Sequence, residues 1–385
     1  MEEGGQARGH ERERQQKERQ CKMKFSITRT KFVDALRNVQ NLVSSKMPLQ
    51  VMQNVLVEAE GGVLRLTTAD MDVTMYSVAE ADIGEPGSTT LPAKVLFGVV
   101  SCCPEGVVEV EVDADDRASI RAGSAKYRLV GMSAKLFPAL PDEGSEEGYR
   151  IDQAVLREML RKTAYAAPQD DTRKALKGVL MSFQDGRLSM VATDGRRLAL
   201  VEKELEDPID RDMRITIPIR TVVELQRILS GDGRVEIKLN GSRVRFDFGS
   251  TVLYSKIVED RYPDYEQVIP RKCNYSVALD RQQLVTALER VSVMTSDVRS
   301  TMFTFSGNML QISSRAANLG EARDEVPIKY DGERIDISFN PVYILEALKA
   351  IDDDEVKINL NEGTTPAVIK CSIPFLYVIM PLKVD

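Results

Sequence analysis

The sequence has no tryptophan and almost no histidine. Its one histidine, His10, lies in a charged N-terminal stretch. Because Ser-His-Asp and Cys-His mechanisms both need a histidine beside the nucleophile, the body of the chain can support neither. The five cysteines are scattered without a Cys-x-x-Cys pair. Neither a disulfide framework nor a zinc site is therefore indicated, and a reducing cytoplasm is the expected location.

Long apolar runs and nucleotide-binding loops are missing as well. No stretch approaches the roughly 18 to 20 apolar residues that a membrane helix needs. Neither a Gly-x-x-x-x-Gly-Lys-Ser/Thr loop nor a Gly-x-Gly-x-x-Gly motif occurs. The acidic run 352–355 lacks the spaced oxygens and central glycine of a calcium loop, so we expect a solvated loop there. The sequence therefore predicts no metal, no cofactor and no catalytic residue.

What is present describes a globular protein of several domains. The 385 residues are 43% hydrophobic and 29% charged, and this length favours two or three domains. The net charge of −7 argues against simple nucleic-acid binding unless basic residues are segregated to one surface. Residues 1–22 show no apolar period, so we expect a disordered extension followed by a fold that begins at Met23.

The main signal is an internal repeat of about 125 residues, present in three copies. Each copy opens with a strand and an amphipathic helix, as in "FSITRTKFVDALRNVQNLV" from Phe25. A hairpin follows, and its turn pairs GG (61–62), DG (185–186) and GN (307–308) suit a positive φ. A proline-led helix comes next, in "LPAKVLFGVV", "IPIRTVVELQRIL" and "FNPVYILEALKAI". The same order in all three copies predicts three similar domains.

Each copy is predicted to place two helices on an antiparallel sheet, which is the α+β class. Strands that alternate apolar and polar residues close each copy, at 108–112, 235–239 and 356–360, and this period of two marks a sheet with one buried face. The predicted divisions are a disordered extension at 1–22 and domains at 23–145, 146–271 and 272–385.

The middle copy carries "VATDGRRLAL" (191–200), with two arginines after an Asp-Gly turn. Alignment of the copies places Asp70 where Asp194 stands. We therefore expect this carboxylate to bind backbone N–H groups of the turn rather than to act in catalysis. The Gly-Arg-Arg that follows occurs only in the middle copy and indicates a site peculiar to that domain. Two solvated hairpin arginines are the simpler alternative.

The repeat and four motifs together resemble the bacterial DNA polymerase III β subunit family, the replicative sliding clamps. The motifs are "VATDGRRLAL", "DRYPDYEQVIP" (260–270), "FNPVYILEAL" (339–348) and "YVIMPLKVD" (377–385). The resemblance implies a head-to-tail homodimer in which three clamp domains per subunit form half of a six-domain ring. Such a ring is no enzyme. It is a processivity factor that encircles duplex DNA, slides along it, and tethers the polymerase, the clamp loader and other partners.

The resemblance also implies site residues. A pocket between the second and third domains would bind short linear peptides in an apolar groove with a few directional donors. Its wall would comprise Leu176, Thr193, Gly195, Arg196, Arg197, Leu198, Pro263, Val268, Asn340, Tyr343, Val378, Ile379, Met380, Pro381 and Leu382. Facing the DNA phosphates would be Lys46, Arg157, Arg161, Gln169, Arg173, Lys174, Arg220 and Arg227. At the dimer interface, Tyr127 and Leu129 would meet Val293 and Met294 of the neighbour.

The sequence departs from the family pattern at a few positions. Arg196 stands where the family often has histidine, and aromatic residues are missing near Lys174. Lys383 and Val384 would fill the roles of the family's basic and apolar terminal residues, and Asp385 adds a negative charge after them. These changes affect the expected peptide preference and the contacts of the loop with DNA.

Two other interpretations stay open at this point. An enzyme that uses Asp194 and Arg197 would need a further carboxylate and a cleft residue with a shifted pKa, and the sequence offers no pair that points there. An adaptor that binds peptides without encircling DNA would lack basic helix faces and self-complementary edges, and it would be a monomer in solution.

Overall fold

The computed structural model describes residues 21–44, 47–141, 148–168, 173–206, 212–294, 300–316, 320–361, 365–372 and 374–383. Within these ranges the chain forms two compact units. The first contains the described residues of Met1–Arg150 and Gly233–Lys256, and the second those of Ile151–Asp232 and Ile257–Asp385. Most of the predicted N-terminal extension lies outside the described residues. The first strand begins at Cys21, two residues before the predicted start of the fold.

The described ranges contain six α-helices. They are α1 (Arg29–Gln40), α2 (Ala93–Cys102), α3 (Gln153–Thr163), α4 (Ile219–Ile228), α5 (Arg281–Ser292) and α6 (Pro341–Ala350). The helical spacing of apolar residues accounts for their buried faces, since Phe32, Leu36 and Val39 of α1 are all buried. Asn340 caps α6 because its side chain accepts a hydrogen bond from the Val342 N–H at 3.1 Å, and Pro341 follows at the first helical position.

Strands make up most of the remaining described structure. The first copy contains β1 (Cys21–Thr28), β2 (Asn54–Glu60), β3 (Val63–Ala69), β4 (Val73–Glu80), β5 (Asp82–Glu85), β6 (Gly87–Pro92), β7 (Val107–Asp113), β8 (Arg117–Ala122) and β9 (Ala125–Val130). The second contains β10 (Tyr149–Asp152), β11 (Gly178–Gln184), β12 (Arg187–Thr193), β13 (Arg197–Glu204), β14 (Met213–Pro218), β15 (Arg234–Asn240), β16 (Arg243–Asp247) and β17 (Thr251–Lys256). The third contains β18 (Tyr275–Asp280), β19 (Thr301–Ser306), β20 (Met309–Ala316), β21 (Gly320–Lys329), β22 (Ile335–Phe339), β23 (Glu355–Leu360), β24 (Ala367–Lys370) and β25 (Phe375–Ile379).

The order of elements repeats three times along the chain. Each copy runs strand, helix, three strands, strand, helix and three strands, and the first copy adds the short strand β5. The prediction of three α+β copies, each with two helices on antiparallel strands, is therefore confirmed. The domain limits at residues 145 and 271 remain a prediction, because the compact units divide the middle copy between them.

The three predicted hairpin turns have the backbone conformation that their sequences require. In the middle copy, Gln184 and Arg187 pair across a two-residue loop in which Asp185 has φ 50° and Gly186 has φ 72°. The GG and GN turns likewise have positive φ at both residues. Asp-Gly and Gly-Asn tolerate this left-handed conformation, and it matches the twist of the flanking strands. Local sequence thus fixes these hairpins.

The first unit contains two sheets. One has the order β5-β1-β7-β8-β9, so that β9 is an edge strand, and the other carries the run β15-β16-β17-β4-β3-β2-β6. Strand β17 belongs to the middle copy and β4 to the first, and they pair antiparallel with Leu253 opposite Met75. Both of these side chains are buried. The sheet therefore continues across the boundary between two sequence repeats.

The second unit is built on one twelve-stranded sheet. Its order is β14-β11-β12-β13-β25-β24-β23-β18-β21-β20-β19-β22, and helices α3 to α6 belong to the same unit. Strand β13 of the middle copy pairs antiparallel with β25 of the third, with Leu198 opposite Val378. This junction brings the "GRRL" segment of the middle copy beside the "YVIMPL" segment of the third.

Candidate functional site

The Asp-Gly-Arg-Arg turn is held by its own aspartate. Asp194 Oδ1 accepts hydrogen bonds from the backbone N–H groups of Arg196 at 2.8 Å and Arg197 at 3.0 Å. In the first copy Asp70 does the same for two N–H groups, at 2.8 and 2.7 Å. The interpretation of Asp194 as a turn residue is confirmed. The enzyme interpretation required this carboxylate for catalysis, whereas here it binds the backbone of its own turn.

Arg197 is buried in spite of its charge. Its side chain is 5% exposed, and all three of its nitrogens donate hydrogen bonds. Nε donates to Asp194 Oδ2 at 3.1 Å, Nη2 to the Tyr165 carbonyl oxygen at 2.6 Å, and Nη1 to the Glu346 carboxylate. The guanidinium also lies over the Tyr343 ring, 4.2 Å from its centroid. Arg197 therefore joins its own turn to helix α6 and does not project into solvent.

The surroundings of Arg197 keep it charged. Burial alone would lower its pKa, but Tyr377, Glu346 and Asp194 together raise the pKa above its ordinary value. Tyr377 is fully buried, its hydroxyl donates to the Tyr343 carbonyl oxygen at 2.9 Å, and burial raises its pKa. In this network the Arg197 guanidinium and the Tyr377 hydroxyl are both held by hydrogen bonds within the fold.

An apolar cluster lies beside the turn. Its buried members include the predicted residues Leu176, Leu198 and Val378, which sit on the 3₁₀ turn Lys174–Leu176 and on the paired strands β13 and β25. Three further buried members were not predicted, and they are Leu180, Val191 and Tyr262. Tyr262 sits within "DRYPDYEQVIP", next to the predicted Pro263, so the motif indicated the segment but not the residue that packs inward.

Exposed groups border this cluster. Val268 ends the 3₁₀ turn Tyr265–Val268, whose Tyr265 packs against the cluster, and Val268 is 48% exposed. Met380 is 39% exposed, and its N–H donates to the Arg196 carbonyl oxygen at 2.9 Å. Of the other predicted wall residues, Pro263 and Arg196 are exposed, Ile379 is buried, and Thr193, Pro381 and Leu382 are half-buried. Exposed apolar side chains beside a buried apolar cluster suit an apolar ligand.

Gly195 and Asn340 have local roles in shaping the site. Gly195 has φ +82°, and a Cβ built on it would lie 1.9 Å from Arg173 Nη1. That same nitrogen donates to the Asp194 carbonyl oxygen at 3.1 Å. Asn340 is committed to capping α6, the helix that carries Tyr343 and Glu346. We call the turn 194–197 with Met380 the lip, and the lip with the apolar cluster and Val268 the groove.

Comparison with known proteins identifies the architecture. Sequence profiles of the DNA polymerase III beta subunit match in order: the N-terminal domain at residues 23–141, the central domain at 150–264 and the C-terminal domain at 266–383. The beta sliding clamp of Chlamydia muridarum is 31% identical over 362 residues, which cover 94% of this chain and 99% of the relative.

Solved structures agree with the sequence comparison. A Pseudomonas aeruginosa sliding clamp bound to griselimycin is 30% identical, with a TM-score of 0.89 and coverage of 94% of this chain and 100% of that one. A Bacillus subtilis sliding clamp is 26% identical, with a TM-score of 0.91 over the same shares. The chain belongs to the DNA polymerase III beta subunit family. Membership confirms the predicted resemblance and the three clamp domains, and it makes the chain a DNA polymerase processivity factor, not an enzyme.

The predicted DNA-facing residues of this clamp are exposed wherever the structure describes them. Six of them, Arg157, Arg161, Arg173, Lys174, Arg220 and Arg227, are exposed, and Lys46 and Gln169 lie outside the described residues. Ion pairs partly neutralise Arg161, which contacts Asp352, and Arg227, which contacts Glu224 at 3.0 Å. Arg173 differs from the others in touching the lip.

The residues predicted for a dimer interface lie in two places. Tyr127 and Leu129 are half-buried on β9, the edge strand of the five-stranded sheet, and the neighbouring Val130 is 73% exposed. Val293 is 75% exposed just after α5, and Met294 is half-buried. Val130 lies on the same strand but was not among the residues predicted for the interface.

The part of the chain that the structure describes shows no group of three or more His, Cys, Asp or Glu side chains that could hold a metal ion. The acidic run at 352–355 is engaged within the fold, since Asp352 pairs with Arg161 and Asp353 accepts from the Ser372 N–H at 2.7 Å. In the same described ranges, no helix is long and apolar enough to cross a membrane.

Proposed function

We propose that two copies of this chain form a closed head-to-tail ring around duplex DNA, in the cytoplasm, and hold a replicative polymerase on its template. The observation that carries the proposal is the threefold repetition of one clamp domain in a chain of the sliding-clamp family. Two chains supply six domains, and symmetric closure leaves no domain edge open. The ring holds DNA by topology, so no tight contact with DNA is needed.

Exposed arginines would line the ring. Arg157 lies on α3 and Arg220 on α4, and both are exposed. Lysine and arginine that face phosphates bind without regard to sequence and weaken as salt rises. The chain as a whole has a net charge of −7. We infer that basic residues are concentrated on the helices of the inner face, where they would attract the DNA phosphates while the ring slides along the duplex.

Retention on circular and linear DNA tests the ring. The clamp is loaded on nicked circular DNA by the host's clamp loader, washed at high salt, and followed by gel filtration before and after the circle is cut with a restriction enzyme. A ring stays on the circle and is lost from the linear ends. Equal loss from both forms would show ordinary electrostatic binding, and an adaptor that only binds peptides would then explain the groove.

The groove would bind short peptides of partner proteins. Its support is the exposed pair Val268 and Met380 beside the buried cluster of Leu176, Leu198 and Val378. A groove with an apolar floor and a few fixed polar groups orients a hydrophobic peptide segment. The exposed Arg196 stands at the lip and would favour a peptide that carries a carboxylate near its apolar anchor.

A peptide scan tests the groove. Overlapping labelled peptides that tile the host's replicative polymerase and clamp-loader subunits are titrated with the full chain by fluorescence anisotropy. We expect one segment of each binding partner to bind, and Met380→Lys and Val268→Asp each to weaken it at least tenfold. Val95→Asp changes a valine of similar exposure, 52%, on α2 and serves as the control. Binding that survives both groove variants would place the peptide elsewhere.

A further inference from the structure

The two equivalent turns of the repeat differ at one buried position. In the first copy, Val73 occupies the position that Arg197 has in the middle copy, and its N–H donates to Asp70 as that of Arg197 does to Asp194. Val73 is 1% exposed, so an apolar side chain satisfies this position. The middle copy puts a guanidinium there, although a buried charge is expensive unless it is paired.

Glu346 supplies the charge that this arginine needs. Its carboxylate accepts from Arg197 Nη1 across 149 positions of sequence. On α6, Glu346 lies three residues after Tyr343, so both side chains share the helix face that meets the guanidinium. Because Arg197 in turn holds Asp194 through Nε, the carboxylate of the third copy is linked through one side chain to the lip of the middle copy.

We propose that Glu346 is a positioning residue for the groove: by pairing with Arg197, it ties the lip to helix α6 and fixes the place of Arg196 and Met380. The inference rests on the proposed function of the groove, and it adds a residue that need not touch the ligand. Loss of the pairing leaves Nη1 of the buried guanidinium without its acceptor, while Asp194 and the Tyr165 carbonyl oxygen still accept from Nε and Nη2. We expect Nη1 to draw in water and the turn to lose its fixed position against α6.

Amide hydrogen exchange of the intact chain tests the positioning directly. In Glu346→Ala, the lip amides of Arg196, Arg197 and Met380 should lose protection about tenfold or more, and this loss should exceed the one that the fall in the urea unfolding midpoint predicts for global opening. The amides of Asp72 and Val73, which make the same hydrogen bonds in the first copy, are the internal control and should not change. Unchanged lip protection would overturn the proposal whatever the chain binds.

Binding of griselimycin provides the second readout. We expect Glu346→Ala to weaken binding about tenfold and Glu346→Gln, which keeps an acceptor for Arg197, to weaken it less. Lys349→Ala is the matched control, because Lys349 lies on the same helix and pairs with Glu289 at 2.7 Å. Griselimycin is the probe because a solved P. aeruginosa clamp is bound to it, and loss of binding in Met380→Lys first establishes that it occupies the groove of this chain.

A double-variant cycle shows whether Glu346 acts through Arg197. If it does, Glu346→Ala combined with Arg197→Met binds griselimycin no more weakly than Arg197→Met alone. Additive losses would mean that Glu346 acts independently, and the proposal would fail. If the unaltered chain binds neither griselimycin nor any scanned peptide, the function proposed for the groove fails, while the exchange measurement still decides the role of Glu346.

Discussion

At the scale of residues, the lip combines one role that recurs in the repeat with others that occur only in the middle copy. The aspartate at 194 holds its turn as Asp70 does in the first copy, through two backbone N–H groups. The Gly-Arg-Arg that follows occurs only in the middle copy. It gives this turn a left-handed glycine, an exposed arginine and a buried arginine. A turn that is structural in one copy is thereby equipped for a site in the next.

Gly195→Ala tests the left-handed residue of the lip. Alanine at φ +82° is strained by about 1 to 2 kcal/mol, and its Cβ would displace the Arg173 guanidinium. Displacement is easy for a flexible side chain but loses the hydrogen bond to Asp194, so the variant should unfold more readily by about 1.5 to 2.5 kcal/mol in urea.

Gly62→Ala separates strain from displacement. Gly62 has nearly the same φ, +81°, and a Cβ there meets nothing within 4 Å. It should therefore show the strain alone. In an Arg173→Ala background the two glycine variants should cost about the same free energy of unfolding. A large difference that persists without Arg173 would contradict this account of the turn.

The site residues show which features a sequence reveals. The Asp-Gly chemistry of the turn acts over three residues, so the sequence predicted the turn and the role of Asp194. The partners of Arg197 could not be predicted in this way, because Glu346 lies 149 positions away and nothing local marks it. Tyr262 was missed because a tyrosine beside a proline suits an exposed loop equally well.

At the scale of elements, sheets cross the boundaries between repeats. Strand β17 of the middle copy pairs with β4 of the first, and β13 pairs with β25 of the third. Alternation predicted the strands at 108–112, 235–239 and 356–360 and their buried faces, but it carries no information about which strand from a distant copy lies alongside. The compact units consequently follow the sheets and divide the middle repeat.

Leu253→Ala tests whether the unit that unfolds cooperatively is a sheet shared by two repeats or a single sequence repeat. Leu253 is fully buried opposite Met75, and its truncation should cost about 2 to 5 kcal/mol. Native-state hydrogen exchange should show β15–β17 and β2–β4 losing protection together, with β11 and β12 unchanged. Loss confined to residues 146–271 would instead make the sequence repeat the cooperative unit.

The connection between α6 and β23 carries a pH-dependent contact. Hydrogen bonds from the hydroxyl and N–H of Ser372 lower the pKa of the Asp353 carboxyl below its ordinary value. A lowered folded-state pKa means that this stabilisation is complete above the unfolded pKa of about 3.9 and is lost as the pH falls through the folded pKa. Asp353→Asn should therefore reduce the urea midpoint at pH 7 and pH 5 but scarcely at pH 2. An equal reduction at all three pH values would contradict it.

At the scale of the whole molecule, electrostatics and closure act together. A negative protein that must stay on a negative polymer needs either a segregated basic face or a topological link. The ring that we propose would supply the link, and the exposed arginines of α3 and α4 supply the candidate face. The net charge of −7 alone predicted neither, because a sum over residues says nothing about their distribution.

Arg157→Ala tests the basic face. DNA binding is measured without a clamp loader at several salt concentrations, and the logarithm of the binding constant is plotted against the logarithm of the salt concentration. If Arg157 contacts a phosphate, the slope of this plot should decrease in magnitude by about one in the variant, for every DNA sequence. Arg323→Ala is the control, because Arg323 is exposed but pairs with Glu325 at 2.8 Å on β21. An unchanged slope in Arg157→Ala would remove this residue from the DNA face.

Leu129→Asp tests closure of the ring. A charge on the edge strand β9 should oppose pairing with a second subunit, so sedimentation should show monomers and retention on circular DNA should be lost. Val107→Asp makes the same change at a valine that is 54% exposed on β7, inside the same sheet, and should remain dimeric. A dimeric Leu129→Asp protein would exclude β9 as the interface.

The pairing of β13 with β25 also has a consequence for synthesis. Strand β13 leaves the ribosome long before β25, because some 170 residues separate their nearest ends. Until Phe375–Ile379 has emerged, Leu198 lacks its neighbour Val378 and the Arg196 carbonyl lacks Met380. A nascent or prematurely terminated chain therefore has no finished groove. Only a molecule translated through its third repeat presents the complete surface that we propose for partner peptides.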